Sequence, residues 1–216
     1  MGDASGVPRY FEKKGENTMN KKSKLSHNLD AVNDVFHAID LLRADVKKCG
    51  RFLKDVDRKL NIRVFDCDNN HMTCIYGLQK ETVKENLNAG DKTVNVPKND
   101  YFIEGRRVLI FNLHQKKHEY AAIKEVRGNT LILSKGLQNH YPAGSFIVAV
   151  RQVDYKRSVY HQVVKRRIDS GRFLPFLYRA TGFSLTRFPD SLNVFFGIEV
   201  NNEVQVNGYI FLGELL

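Results

Sequence analysis

The chain has 216 residues, and 34 Lys and Arg against 24 Asp and Glu give a formal charge of +10. Hydrophobic residues at 42%, including 14 Phe, supply a core and exclude wholesale disorder. The sequence has no apolar run long enough for a transmembrane helix, no signal-peptide pattern at its start, and too few cysteines (three) for a disulfide scaffold.

Residues 1–27 are polar, with Lys13, Lys14, Lys21, Lys22 and Lys24 among Gly, Ser and Asn. They read as a disordered tail, with Met19 as an alternative start. From Asp30 the pattern changes. Val32, Val35, Phe36, Ile39, Leu42, Val46, Cys49, Leu53, Val56 and Leu60 recur every three or four residues, and Asp34, Asp40, Arg43, Asp45, Lys47 and Lys48 fill the other faces. This predicts a long amphipathic helix over 30–60, capped by Asn28 or Asp30 and weakened at Gly50.

After Asn61 the pattern is almost all strand. Ile62–Phe65 and Met72–Tyr76 flank Asp68-Asn69-Asn70, which is hairpin turn chemistry. Cys67 and Cys74 fall on the two arms; a cross-strand disulfide fits the spacing, and so do two ordinary thiols. Residues 90–153 predict short strands at Lys92–Val96, Asp100–Glu104, Arg107–Phe111, Glu119–Val126, Thr130–Leu133 and Ser145–Val153. Val94, Val108, Ile110, Ala122, Ile123, Leu131, Leu133, Ile147 and Val148 are available to fill such a lobe. Longer strands follow at Ser158–Ile168, Phe183–Arg187, Asn193–Val200 and Glu203–Leu212. The expected class is α+β, with the long helix packed on an antiparallel sheet built from 28–89 and 154–216, and 90–153 inserted as a small β-rich module.

Of the net charge, +6 lies in residues 151–180. Lys156, Arg157, Lys165, Arg166, Arg167, Arg172 and Arg179 form a candidate contact patch for an anionic polymer such as DNA, with Tyr155, Tyr160 and Phe173 nearby for stacking. The bland alternative is a set of solvated strand faces, because no nucleic-acid motif accompanies the cluster. His114, His118 and Glu119 have ligand spacing only on a helix, and their segment reads as a hairpin tip. Cys49 sits on the helix's apolar stripe, and neither a nucleophile elbow nor a phosphate-binding glycine loop is present. No catalytic, cofactor or metal site is expected.

Three segments carry a family resemblance. Phe36-His-Ala-Ile-Asp-Leu-Leu-Arg-Ala-Asp-Val-Lys-Lys-Cys-Gly50 resembles the helix of PilW-type minor pilins and the related minor pseudopilin J. Ala89-Gly-Asp-Lys-Thr-Val-Asn-Val, Gly105-Arg-Arg-Val-Leu-Ile, Ile123-Lys-Glu-Val-Arg-Gly-Asn-Thr-Leu and Tyr141-Pro-Ala-Gly-Ser are similar to the inserted module of such pilins. Val153-Asp-Tyr, Lys165-Arg-Arg, Asp169-Ser-Gly, Pro175-Phe-Leu, Gly182-Phe and the final hairpin resemble the family's ending.

The resemblance covers 30–216 and implies a structural subunit of a type IV pilus or type II secretion-like fibre. Its partners would be other minor pilins or pseudopilins, with no catalytic residues, no cofactor and no small-molecule substrate. Residues 1–29 lack the family's leader and apolar helix. The resemblance therefore implies a missing N-terminal helix that anchors the subunit in the inner membrane, with the rest periplasmic or in an extracellular fibre. Asn112–His118, Gln138–Tyr141 and Arg187–Leu192 are the expected contact loops. The Gly-Asp-Lys-Thr-Val module is also similar to repeats in phage tail proteins, which leaves a tail structural role as the alternative.

Overall fold

The computed structural model describes residues 12–56, 60, 62, 65–68, 70–187, 194–200 and 204–210. Helix α1 (Glu12–Asp55) begins well before Asn28 and Asp30 and runs through Gly50 without a break. Its buried positions Val35, Ala38, Ile39, Leu42, Asp45, Val46, Cys49 and Phe52 keep the spacing of one helix face. Phe36, placed on the stripe by sequence, stands off it and is 56% exposed.

The strands in chain order are β1 (Phe65–Asp68), β2 (His71–Thr82), β3 (Thr93–Asn95), β4 (Arg107–Asn112), β5 (Lys117–Arg127) and β6 (Thr130–Leu133). They continue as β7 (Phe146–Ser158), β8 (Val163–Ile168), β9 (Leu174–Leu177), β10 (Ala180–Arg187), β11 (Val194–Val200) and β12 (Val204–Ile210). Nine of them form one antiparallel sheet, and β10-β11-β12 form a second. The turn chemistry is visible in the register. Asp68 faces His71, and Arg127 faces Thr130 across Gly128-Asn129, where Gly128 takes a φ of 56°.

Strand β7 is the spine of the larger sheet. Along one edge it pairs with β2 from Phe146 to Lys156. Along the other it pairs first with β4, over Phe146–Val150, and then with β8, over Val153–Ser158. The sheet therefore forks at Arg151-Gln152. Asp169, at φ 51°, splices the fork: its N–H donates to the Gln152 carbonyl at 2.8 Å, and its carboxylate accepts the Gln152 N–H at 2.9 Å.

This architecture corrects the expected α+β class. The described chain is mostly antiparallel β-sheet. It is not a pilin-like fold defined by a long helix on a sheet. The physical reason lies in the strands of 90–153. They hydrogen-bond through β4 and β7 into the same sheet as β2. They also enclose a core of Val83, Val94, Phe102, Val108, Ile110, Ile123, Leu131, Leu133, Tyr141 and Ile147 to which no α1 residue contributes. The other core gathers the α1 stripe with residues of β1, β2, β4, β7, β8 and the smaller sheet, and there the helix supplies one wall.

Two local expectations also change. Residues 100–104 form a turn rather than a strand, because Gln79 accepts the Tyr101 N–H and Arg106 donates to the Tyr101 carbonyl, which leaves Phe102 buried. The strand expected over 158–168 is interrupted at 159–162, where Gln162 has a φ of 49°. No described helix is long and apolar enough to cross a membrane.

Candidate functional site

The basic cluster lies on β7, β8 and the turns beyond them, in three cross-strand rows. Thr73, Asp154 and Arg167 form one, Met72, Tyr155 and Arg166 the next, and His71, Lys156 and Lys165 the third. Successive rows point to opposite faces, so two adjacent arginines serve two different carboxylates.

Arg166 turns inward to Asp45 of α1. Its Nη2 lies 2.8 Å and its Nε 3.2 Å from Asp45 Oδ2, and the Tyr155 hydroxyl donates to the same oxygen at 2.7 Å. Asp45 is 2% exposed, a paired carboxylate inside the core. Burial opposes the Arg166 cation, but Asp45 and Tyr155 outweigh it and raise its pKa. Burial, then the Asp45 charge, pushes the Tyr155 phenol far above its ordinary value. Asp45 corrects its own expected placement on a solvent face. Its signal was present in the sequence, since it stands three residues after Leu42 and four before Cys49.

Asp154 is the second carboxylate, also about 1% exposed. It accepts hydrogen bonds from Thr73 Oγ1 at 2.7 Å, Gln152 Nε2 at 2.9 Å and Arg167 Nη2 at 2.7 Å. Burial alone would raise this carboxyl, and the Thr73, Gln152 and Arg167 hydrogen bonds reverse the sign and hold it below the usual range. The Arg167 guanidinium also stacks 4.4 Å from the Phe173 ring. Arg157 donates to the Thr181 carbonyl, tying β7 to the smaller sheet.

Three of the seven predicted cations thus have internal partners. Lys156, Lys165, Arg172 and Arg179 remain, and no ion pair joins any of them to a carboxylate among the described residues. Lys156 and Lys165 face each other directly, which like charges disfavour unless an anion intervenes. Near them, Val159, Tyr160 (92% exposed) and Tyr178 lie exposed in the loops that follow β7 and β9. The Ala180 N–H donates to the Gln162 carbonyl at 2.7 Å and brings these two loops together.

The other sequence candidates are dispersed. His114 lies at the β4–β5 tip, and His118 on β5 pairs with Phe111 on β4. Glu119 accepts the N–H groups of Gln138 and Asn139 at 2.8 and 3.3 Å, so it fixes that loop. Residues 188–192 of the third expected contact loop lie outside the described residues. Cys49, Cys67 and Cys74 are thiols. The register sets Cys67 against Met72 and Cys74 against Phe65, so the two are diagonal neighbours. A hydrogen bond with Cys49, then burial, pushes the Cys74 thiol well above its ordinary value.

No family model and no curated protein matches this chain. The solved structures it is similar to include the Gp54 tailspike of Acinetobacter baumannii bacteriophage AP22 in complex with A. baumannii capsular saccharide, at 14% identity and a TM-score of 0.31. That likeness covers 36% of this chain and 15% of the tailspike chain, too little to carry a fold or a function across.

Proposed function

We propose that the protein is a structural subunit that works by assembly, as a minor pilin or pseudopilin of a type IV pilus or type II secretion-like fibre. The observation that carries this reading is the surface of α1: Leu29 and Phe36 are exposed at 64% and 56%, while Asp45, further along the same helix, is bonded into the body. Two exposed apolar side chains two helical turns apart, beside an anchored segment, suit a contact with a neighbouring subunit. The order of the three pilin-like segments in the sequence favours this fibre class over other assemblies. In this reading the buried ion pairs are scaffold, the protein has no catalytic role, and the subunit is held at the inner membrane or in the fibre. A photo-crosslinking residue at Phe36, introduced in the native cell, is expected to capture other pilin-like subunits. Recovery in phage particles, or no adduct in fibre-producing cells, overturns the reading.

A second reading, contact with DNA, is favoured by Lys156 and Lys165 facing each other beside Tyr160. Affinity for single-stranded DNA is then expected to fall steeply with salt and to be lost in Lys156→Glu/Lys165→Glu. Absence of binding at low salt removes this reading and leaves the first untouched.

A further inference from the structure

Between the C-terminal part of α1 and the middle of β2 lies a cavity of about 420 Å³, within the range that holds a small organic molecule. Phe52, Tyr76, Tyr101 and Val148 give it apolar and aromatic walls. Gly77 forms part of the floor, directly beneath the Phe52 ring. Lys48, Arg51, Lys80 and Arg151 supply four cations, and no carboxylate stands among the lining residues whose side chains the structure describes.

The charge balance at Arg151 is the informative feature. Asp169 lies 3.9 Å from it, and Arg106 stands at the same distance from that carboxylate. The Arg151 Nε is buried with no hydrogen-bond partner. One splice-point carboxylate therefore faces two guanidinium groups, and one of them, Arg151, lines the site. Lys48 lies 5.3 Å from the Tyr76 ring, and Lys80 lies 4.1 Å from the Phe146 ring. Both ammonium groups are thus held near the cavity by aromatic contacts rather than neutralised by acids. Low-dielectric walls concentrate such a field.

We propose that this cavity binds a small organic anion in which a planar apolar ring carries a phosphate group. A ring fits the aromatic walls, and several cations around one mouth suit a dianion better than a single negative charge. Inorganic phosphate would leave the apolar walls unused, and a neutral ring would leave the cations unpaired. The proposal does not depend on the assembly role.

Phenyl phosphate is the test ligand, followed by titration calorimetry and by NMR shifts of Tyr76, Gly77 and Arg151, with phenol and inorganic phosphate as its separate halves. Saturable binding tighter than either half is expected. Lys48→Gln and Arg51→Gln change exposed side chains and leave the fold intact, and each is expected to weaken binding by about tenfold, the effect of losing one charge-assisted contact. The proposal is overturned if phenyl phosphate does not saturate, if inorganic phosphate binds equally well, or if the Lys48→Gln/Arg51→Gln double variant binds like the parent.

Discussion

At the scale of single residues, the buried carboxylates set how the protein responds to acid. The Asp154 carboxyl is held below its ordinary range in the folded chain. It therefore stabilises the fold above the unfolded carboxyl value, about 3.9, and that contribution disappears as pH falls through the lower folded value. Asp154→Ala leaves Arg167 without its carboxylate and is expected to cost about 3–5 kcal/mol at neutral pH, and the part of that loss that depends on Asp154 being ionised disappears at strongly acid pH. Urea unfolding of parent and variant across that range checks the sign; a gap that persists undiminished in acid sinks the assignment. Asp154 could not be recognised from sequence, because Gln152, Asp154 and Lys156 read alike as polar alternate positions of a strand. Only the register brings Thr73 and Arg167 to it from two different strands.

At the scale of elements, the contact between α1 and β2 depends on a missing side chain. A Cβ on Gly77 would lie 2.9 Å from two Phe52 ring carbons and 3.1 Å from Val148 Cγ1. The pairing of β2 with β7 shifts register between Gly77 and Gln79, so the ring settles where the strand already bends. Gly77→Ala is expected to destabilise by about 1–3 kcal/mol through overpacking, and by less in a Phe52→Leu background. Equal losses in both backgrounds, measured by thermal or urea unfolding, would show that the ring is not what resists. Sequence periodicity located the helix stripe well from Val35 to Cys49, because one face of a helix repeats on a scale a short window captures. It placed the helix start too late, since a polar segment with many lysines carries no burial signal even where the backbone is helical.

At the scale of the whole molecule, short strands and their turns were legible and their assembly was not. Val94, Val108, Ile110, Ile123, Leu131, Leu133 and Ile147 were readable as one core, and they are one. Val148, expected in the same lobe, packs with α1 in the other core, and Ala122, also expected there, is half-buried and belongs to neither. Alternation along a strand says which residues share a face but not which core that face meets. A strand with different partners along its length, such as β7, belongs to two environments at once, and its sequence reads as a single run. For the same reason the candidate patch at 151–180 was visible as charge, while the diversion of Arg157, Arg166 and Arg167 into internal bonds required three-dimensional neighbours.

The fork in β7 also determines how the two halves can move. On one edge the pairing is interrupted between β4 and β8, whereas on the other β2 and β7 stay paired through eleven register pairs with one bulge between Gly77 and Gln79. Relative rotation of the halves must pass through that shared ribbon. It can be absorbed as added or released twist, with the ribbon's hydrogen bonds kept. Asp169, bonded to both the carbonyl and the N–H of Gln152, bridges the open side of the fork opposite that ribbon.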